Sequence, residues 1–322
     1  MSYASTILAD SPLVYLRLGE PSGTNANDET ANNFDFTYTG GYSLGASALV
    51  FGGTSVDLNG STGYVYRAVD AGLNLGNTFT FEAWLNSDAL TAGDVLYFHG
   101  TGANALSLEV GTSGSLAVYI AGSPDYETAT GALVNATTQH VVYTKDGATR
   151  AVYINGSAVS GSGTSRTAAD PGSGNRYIGC YSGSAQFWDG RVQEFALYGT
   201  ALTSGQVAAH YAAAFGPVWT TPADTVAMST TPELKFNSPA SAVKQHFYLQ
   251  LDTANTFNTG NLRTYDSSVT QTNWDYWDGA AWTAMPSDGL PIAKSGNEIR
   301  YTVTSALSSS TWYRRVRAGT LV

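Results

Sequence analysis

Residues 140–159, with the sequence HVVYTKDGATRAVYINGSAV, carry the clearest secondary-structure signal of the chain. Valine, isoleucine, threonine and tyrosine favour strands, and here they form three short runs. The dipeptides Asp146-Gly147 and Asn155-Gly156 separate the runs, and both central residues of a type I′ turn need the positive φ that these residue types tolerate. The stretch therefore predicts an antiparallel meander of three strands joined by two hairpins.

Similar short apolar or alternating runs recur on both sides of this meander, with turn residues and no helix between them. The chain contains 35 glycines and only 12% charged residues, which is typical of many short strands joined by tight turns. The pattern predicts an all-β fold, with a two-sheet sandwich in the first two thirds of the chain. The predicted strands are Leu13–Leu18, Ala48–Phe51, Tyr64–Tyr66, Thr78–Leu85, Asp94–His99, Ser107–Val110, Leu116–Ile120, His140–Tyr143, Ala151–Ile154, Arg176–Gly179 and Gly190–Tyr198.

One stretch, residues 203–215, predicts a helix because its apolar residues recur at helical spacing. Thr203 or Ser204 is the expected N-cap, and Gly216-Pro217 ends the helix since proline cannot continue it. We take this point as a domain boundary. The predicted domains are residues 1–216 and residues 217–322.

Motifs of the first domain occur in the order of a known family. They are Ser11–Glu20, Val56–Val65, Phe79–Leu85, the meander, and Gly190–Tyr198. In this order they resemble laminin-G-like and concanavalin A-like jelly-roll domains. The resemblance implies an antiparallel jelly-roll sandwich with a buried Trp84, whereas strict alternation puts Trp84 beside Glu82 and opposite Phe81. We therefore expect a central strand that is covered on its second face by a loop.

The second domain resembles a fibronectin type III or related immunoglobulin-like module, a smaller β-sandwich. Pro232–Phe236, Phe247–Asp252 and Thr311–Ala318 correspond to its B, C and F strands. The chain reaches Val322 soon after the third of these, so we expect the module to lack its last strand and to expose an open sheet edge.

Three tryptophans lie close together in the second domain. Trp274, Trp277 and Trp282 are interrupted by Asp278-Gly279. Two interpretations stay open: a packed hairpin, or a contact surface for a ligand or partner.

Charge is distributed unevenly over the chain. Its net charge is −10, and residues 1–216 hold 7 basic and 17 acidic residues, whereas residues 217–322 hold 8 of each. An acidic first domain disfavours nucleic-acid binding. The chain has one cysteine, Cys180, which we expect in the core, and no apolar stretch of the length that crosses a membrane.

The usual catalytic motifs are missing from the sequence. Glycoside hydrolases on a jelly roll need two carboxylates on one strand face, written Glu-x-Asp-x-x-Glu, whereas Glu82, Glu109 and Glu194 stand alone. No Gly-x-Ser-x-Gly elbow occurs, and the four histidines lack metal-ligand spacing. These observations predict a chain that is not an enzyme.

The resemblance to laminin-G-like domains implies a calcium ion at the rim of the sandwich, held by oxygen ligands. Glu20 and Asp28 are the candidate ligands, and the alternative is that both are solvated loop acids. Exposed aromatic residues can stack on sugars or anchor partners. Tyr126, Tyr181 and Trp188 are the candidates in this domain, and core or rim packing is the alternative for each.

Arginines near the end of the chain suggest a partner. Arg314, Arg315 and Arg317 cluster close to the predicted open edge, and the first domain is acidic, so we expect contact with other copies of the chain or with other proteins. A homo-oligomer, a trimer in a fibre or decoration protein, would cover the edge.

Two functions from different classes fit this organisation. A leaderless jelly roll followed by a fibronectin-like module resembles bacteriophage tail, fibre or capsid-decoration proteins. That resemblance implies a structural or adhesion protein of the virion, made in the host cytoplasm, which binds host surface glycans. The alternative is a carbohydrate-binding protein of the bacterial cell surface.

Overall fold

The computed structural model describes residues 3–50, 53–100, 105–167, 174–215, 218–221, 231–238, 244–252, 263–291, 294, 296–304 and 313–319. They form two compact units, one of residues 7–211 and one of residues 212–322 with the first six residues. The structure is built from antiparallel sheets, which confirms the all-β prediction. The predicted domain boundary at residue 216 lies outside the described residues and stays a prediction.

The first unit contains two helices at its ends and seventeen described strands. The helices are α1 (Tyr3–Ala9) and α2 (Ser204–Ala213), each of which crosses into the other unit. The strands are β1 (Val14–Leu16), β2 (Asn25–Ala26), β3 (Phe36–Thr39), β4 (Tyr42–Ala46), β5 (Ser55–Asn59), β6 (Tyr64–Arg67), β7 (Thr78–Ala89), β8 (Val95–His99), β9 (Leu106–Val110), β10 (Leu116–Ile120), β11 (Ser123–Thr128), β12 (Gln139–Asp146), β13 (Thr149–Ile154), β14 (Ser157–Val159), β15 (Gly161–Ser162), β16 (Arg176–Ile178) and β17 (Asp189–Tyr198).

Two sheets form the sandwich of the first unit. The first sheet has the order β14-β13-β12-β7-β17-β5-β4, and β1 also pairs with β17. The second sheet has the order β15-β11-β10-β9-β8-β16-β6-β3-β2. Alternate residues of each strand point between the sheets, where residues such as Phe81, Tyr97, Val118 and Phe195 form one continuous core. Each sheet therefore also has an outer face, and the two outer faces differ.

The meander predicted from residues 140–159 is present as β12, β13 and β14. Its second turn is the predicted one, since Asn155 and Gly156 have φ of 54° and 76°. Its first turn lies one residue later than predicted, because Asp146 pairs with Thr149. Gly147 therefore becomes the first central residue, where positive φ suits a type II′ turn.

Helix α2 begins as predicted. The backbone N–H of Gln206 donates to Thr203 Oγ1 over 3.3 Å, and the backbone N–H of Thr203 donates to Gln206 Oε1 over 2.9 Å. This reciprocal capping box satisfies two donors at the start of the helix.

The outer face of the first sheet lies beneath α2. Trp84 is 1% exposed, and its ring stacks on Tyr211 of the helix at 5.7 Å between centroids and on His140 of β12 at 5.0 Å. The predicted burial of Trp84 is confirmed, but the cover is a helix and not a loop. Strict alternation is also obeyed, because Glu82 lies on this same face, buried.

The second unit has a five-stranded sheet in the order β18-β19-β24-β22-β23 and a three-stranded sheet in the order β21-β20-β25. Its core includes Phe236, Phe247, Trp274 and Ile299. The strands are β18 (Val218–Thr221), β19 (Glu233–Asn237), β20 (His246–Asp252), β21 (Arg263–Asp266), β22 (Trp274–Trp277), β23 (Trp282–Ala284), β24 (Glu298–Thr302) and β25 (Tyr313–Gly319). The likeness to a fibronectin type III module stays a prediction.

The tryptophan cluster forms the packed hairpin β22–β23. Trp274 is a core residue at 1% exposure, so for this residue the packed hairpin is right and the contact surface is wrong. Trp277 pairs with Trp282 across the hairpin at 5.7 Å between ring centroids, and Trp277 is 37% exposed. The Arg300 guanidinium lies over the Trp282 ring at 4.5 Å. Only the outer tryptophan pair is therefore placed to meet a partner.

The predicted arginine cluster falls on β25. Arg314, Arg315 and Arg317 pair through the backbone with Leu251, Gln250 and Tyr248 of β20. Their side chains lie outside the described residues, so their proposed contact with an acidic partner stays a prediction.

Candidate functional site

A row of aromatic residues crosses the outer face of the second sheet. Tyr66, Tyr177, Phe98, Ser107 and Tyr119 are successive cross-strand partners on β6, β16, β8, β9 and β10. Their chain neighbours point into the core, so alternation directs this row outward. One serine interrupts four aromatic rings.

A turn that follows β16 adds a further ring to the row. Tyr181 packs on Phe98 with 4.3 Å between ring centroids, and 39% of Tyr181 is exposed. Phe98 and Tyr177 are buried beneath it together with Cys180, as predicted for the cysteine, and burial raises the pKa of the Cys180 thiol to about 12. The thiol is therefore a packing group at neutral pH.

Polar groups lie directly beside these rings. Glu109 follows Ser107 on the outer face of β9, and the Ser107 hydroxyl donates to Glu109 Oε1. The side chain of Gln186, from the turn that carries Tyr181, also bonds to Glu109. Burial raises the pKa of the Glu109 carboxyl, against the lowering effect of these two hydrogen bonds.

We call this surface the tyrosine face. The strands β8 and β10 are two spacings apart, about 9–10 Å, so Tyr181 above Phe98 and Tyr119 flank a strip that contains Ser107 and Glu109. Exposed rings next to hydrogen-bonding groups can bind a ring with one apolar face and polar edges. The tyrosine face comprises Tyr64, Tyr66, Phe98, Ser107, Glu109, Tyr119, Tyr177, Tyr181 and Gln186.

A second site lies at the edge of β17, where two strands share one partner. Residues 189–192 pair with β5 and residues 195–197 pair with β1, so a gap opens between the end of β1 and the start of β5. A pocket of about 460 Å³ fills this gap. Its lining includes Arg17, Glu20, Asn27, Glu29, Gln193 and Glu194.

A β-bulge directs Glu194 into this gap. Gln193 pairs with Trp84 but Ala196 pairs with Glu82, so β17 has one extra residue opposite β7. Glu194 takes a φ of 53°, uncommon for a residue other than glycine, and its N–H donates to the Arg17 carbonyl over 3.1 Å. Such strained bulges are frequent beside functional sites.

The Glu194 carboxylate is buried and fully engaged. Arg17 donates to Oε1 from Nε and Nη2, each over 3.3 Å, and the Tyr15 hydroxyl donates to Oε2. Burial raises the pKa of Glu194, while Arg17 opposes that rise. Glu194 therefore fixes Arg17 at the pocket wall and offers the pocket little of its own.

The predicted calcium ligands do not come together as a metal site. Asp28 accepts hydrogen bonds from the backbone of Tyr15, Thr30 and Phe34 and from the Thr30 hydroxyl, at 2.7–3.0 Å. Glu20 lines the gap pocket, but Asn27 and Tyr38 donate to both of its oxygens. Glu20 and Asp28 thus have hydrogen-bond partners within the protein, and their role as calcium ligands stays a prediction.

Within the described residues, no group of three or more histidine, cysteine or acidic side chains could hold a metal ion. Calcium binding near Glu20 and Asp28 stays a prediction.

The predicted aromatic ligand residues differ in exposure. Trp188 is 2% exposed within the main core, which corrects its assignment. Tyr126 is half-buried and packs against that core, with the Arg150 guanidinium over its ring at 5.6 Å, so its role stays a prediction. Tyr181 is exposed on the tyrosine face. Sequence periodicity did not predict that Tyr119 and Glu109 lie side by side. The pairing of β9 with β10 places them together, and the sequence does not reveal that pairing.

The charged residues beneath α2 form a buried network. Glu82 Oε1 lies 2.7 Å from His140 Nε2, and Glu82 Oε2 lies 2.9 Å from His210 Nδ1. His210 Nε2 lies 2.8 Å from Asp10, and the Tyr198 hydroxyl donates to Glu82 over 2.8 Å. The network joins β7, β12, β17 and α2, and its buried position suits a structural role.

Burial alone would raise the pKa of Glu82, but the neighbouring His210 and His140 outweigh it and lower that pKa. Burial alone would lower the pKa of His210, but Glu82 and Asp10 outweigh it and raise that pKa. The two shifts have one cause, a close contact between opposite charges.

Comparison with known proteins identifies the fold of the first unit. Residues 59–208 match the model of the Laminin_G_3 family, described as the concanavalin A-like lectin/glucanases superfamily. This part of the chain is therefore similar to concanavalin A-like jelly-roll domains, which supports the resemblance drawn from the sequence motifs at this level. No curated protein sequence matches the chain.

Several solved structures are similar to the chain at low identity. Domain 4 of AbnA, a GH43 extracellular arabinanase from Geobacillus stearothermophilus, in complex with arabinotriose, is 21% identical with a TM-score of 0.51, covering 62% of this chain and 98% of its own. Trypanosoma rangeli sialidase in complex with sialic acid is 19% identical with a TM-score of 0.46, covering 62% of this chain and 32% of the sialidase. The heptameric SAP-like pentraxin from Limulus polyphemus is 17% identical with a TM-score of 0.40, covering 48% and 80%.

The prediction that the chain is not an enzyme is wrong as it was argued. A domain of a GH43 arabinanase has the fold of the first unit, and the matching superfamily includes glucanases as well as lectins. A missing sequence motif therefore does not separate this chain from enzymes. At 21% identity the likeness shows the fold alone, so it assigns no reaction and no catalytic residue.

Among the described helices, none has the length and apolar character that a membrane crossing requires.

Proposed function

We propose that the first unit binds a glycan on the tyrosine face. The observation that carries this proposal is the exposed Tyr181 ring, which is packed on Phe98 and stands beside the polar strip of Ser107 and Glu109. Sugars present apolar C–H faces and a rim of hydroxyls. An aromatic ring next to fixed hydrogen-bonding groups complements both features.

The tyrosine face suits this function better than the gap pocket. Among the described residues that line the gap pocket, none is aromatic. On the tyrosine face the rings of Tyr64, Tyr66 and Tyr181 keep solvent contact. The arabinotriose complex of the arabinanase domain with this fold supports sugars as the class of ligand to test.

Affinity electrophoresis against a panel of polysaccharides tests the proposal. We expect the protein to be retarded by at least one polysaccharide, and Tyr181→Ala and Tyr119→Ala each to weaken that binding about tenfold, as loss of an aromatic anchor does. Trp277→Ala is the matched control, because it removes an exposed ring from the second unit and should leave binding unchanged.

A panel without any retarded polysaccharide would contradict the proposal. So would full binding by both tyrosine variants. Circular dichroism of each variant confirms that a loss of binding does not come from unfolding.

We further propose that the chain works on a particle, as a structural or adhesion protein of a virion, with other virion proteins or copies of itself as partners. The combination of an acidic jelly roll with a second β-unit of zero net charge supports it. Mass spectrometry of purified phage particles tests this role directly. Recovery of the chain from bacterial cell envelopes, and none from particles, would favour the cell-surface alternative.

A further inference from the structure

We infer that the tyrosine face selects uncharged glycan chains and rejects those that carry carboxylates, such as sialylated or uronic acid chains. The inference rests on the proposed function and names the class of ligand at that same surface. Its basis is a second row of residues on the face, parallel to the aromatic row.

This second row is acidic. Val95, Glu109, Ala117 and Glu127 are successive cross-strand partners on β8, β9, β10 and β11. The two glutamates are two strand spacings apart, about 9–10 Å between their backbones. Tyr119 lies on β10 between the two glutamates, two residues beyond Ala117. Burial is the largest cause of the raised pKa of the Tyr119 hydroxyl, and the charges of Glu109 and Glu127 raise it further. Both carboxylates therefore face the strip where a sugar would stack.

The carboxylates are held in place by neighbouring hydroxyls. The Ser107 hydroxyl donates to Glu109, and the Ser115 hydroxyl donates to Glu127 Oε1 over 2.6 Å. Each of these bonds uses one oxygen, and a carboxylate accepts further hydrogen bonds at both oxygens. A neutral sugar can donate its hydroxyls to the acceptors that remain.

The described strands of this face place no cation beside these acids, whereas Arg166, in the segment that follows β15, donates to the Pro124 carbonyl of β11 over 3.5 Å. The outward positions of β3, β6, β8, β9, β10, β11 and β16 hold no lysine or arginine. Arg176 faces the core, where it donates to the carbonyls of Asp70 and Gly174 over 2.9 and 3.0 Å. Arg67 also points inward, and donates to the Asp35 carbonyl over 2.6 Å.

An anionic sugar stacked between Tyr181 and Tyr119 would meet two carboxylates and no cation among the outward residues of these strands. Like charges placed together reduce affinity and are a common source of discrimination between ligands. A neutral sugar of the same shape has no such cost. The acidic row therefore sets the charge of the accepted glycan, while the aromatic rings supply the stacking.

A matched pair of oligosaccharides tests the inference. Oligogalacturonate and its carboxyl-reduced form have the same length and linkage and differ only in charge, and sialyllactose with lactose forms a second pair. These pairs are measured by titration calorimetry at low salt, alongside the neutral glycans of the panel. We expect the affinity for each neutral member that binds to be about tenfold or more higher than the affinity for its acidic counterpart.

Variants assign the discrimination to the acidic row. The double variant Glu109→Gln, Glu127→Gln should bring the neutral and acidic members within about threefold of each other, since amides accept hydroxyls without repelling a carboxylate. Glu29→Gln removes one acidic charge at the gap pocket, away from the face, and should leave the discrimination intact.

Equal or tighter binding of the acidic members by the natural protein overturns the inference and leaves glycan binding standing. Unchanged discrimination in the double variant also overturns it, since the acidic row would not be the cause. If no neutral glycan of the panel binds, the proposed function fails together with the inference.

Discussion

The two outer faces of the jelly roll use polar and aromatic residues in opposite ways. Beneath α2, Glu82 is buried and bonds to both His140 and His210, and the Trp84 ring packs on two neighbouring rings. On the other face, Tyr181 and Glu109 stand at a surface that keeps solvent contact.

The contrast between the two faces distinguishes a structural cluster from a binding surface. A buried charge is tolerated only when it is paired and hydrogen-bonded, and each partner of Glu82 belongs to a different element of the same unit. The helix therefore accounts for the network. No described element accounts in the same way for the solvent-facing rings of the tyrosine face, so a ligand explains them better.

The largest effect should come from Trp84 on the covered face. Trp84→Ala removes a buried ring that packs on His140 and Tyr211, and should lower the free energy of unfolding by about 3–5 kcal/mol. Urea denaturation followed by circular dichroism measures it. Glycan binding by the fraction that is still folded should not change, and a loss of less than 1 kcal/mol would show that the helix contributes little to the sandwich.

A similar loss should follow from Glu82→Gln. The substitution keeps the size of the side chain but leaves His140 and His210 without the charge they contact, and breaking a buried ion pair costs about 3 kcal/mol. Asp146→Asn is the control, because Asp146 is exposed at a hairpin end and should cost less than 0.5 kcal/mol. Equal stability of the two variants would contradict a structural role for the network.

A structural feature could be predicted from the sequence when neighbouring residues determine it, and could not when contacts between distant parts of the chain determine it. Asn155-Gly156 predicted its turn because φ at two adjacent residues decides it locally. Strands such as β3 and β11 were missed because they are short and polar, and pairing with neighbours decides them. The N-cap at Thr203 was also local and was one of the two residues predicted, whereas the part played by Gln206 was not predicted.

The candidate sites depended on contacts that the sequence does not reveal. The bulge at Glu194 results from β17 exchanging β5 for β1, two strands far apart in the sequence. The tyrosine face depends on the register of neighbouring strands, since a shift of one residue would turn Tyr119 inward. Tyr181 could be named as a candidate from its residue type and its place in a loop, but Trp188, from a similar stretch, is buried.

The network beneath α2 should also make stability depend on pH. The pKa of His210 is raised in the folded protein, so its contribution is complete below its ordinary value of 6.5 and is lost as pH rises through the folded value. The pKa of Glu82 is lowered, so its contribution is complete above 4.5 and is lost as pH falls toward the folded value.

We therefore expect the network to stabilise most between pH 4.5 and 6.5. The groups that face His210 are Glu82, Asp10 and Tyr198, so the measurement compares the natural protein with His210→Gln in urea at pH 5.5 and pH 8.5. The gap in stability between the two proteins should shrink at pH 8.5. A gap that stays constant would mean that His210 contributes by packing alone.

The smallest expected effects are the stability losses on removing one tyrosine hydroxyl from each face, at Tyr198 and at Tyr181. The Tyr198 hydroxyl donates to Glu82 over 2.8 Å in the buried network, so Tyr198→Phe leaves a buried carboxylate with one donor fewer and should cost about 1–2 kcal/mol. Tyr181→Phe removes a hydroxyl from a ring that is 39% exposed, where water replaces it, and should cost less than 0.5 kcal/mol. The same Tyr181→Phe variant keeps its ring on Phe98, so its affinity for a glycan should fall less than that of Tyr181→Ala. Equal losses of stability for the two phenylalanine variants would remove the distinction between a covered, structural face and an open, binding one.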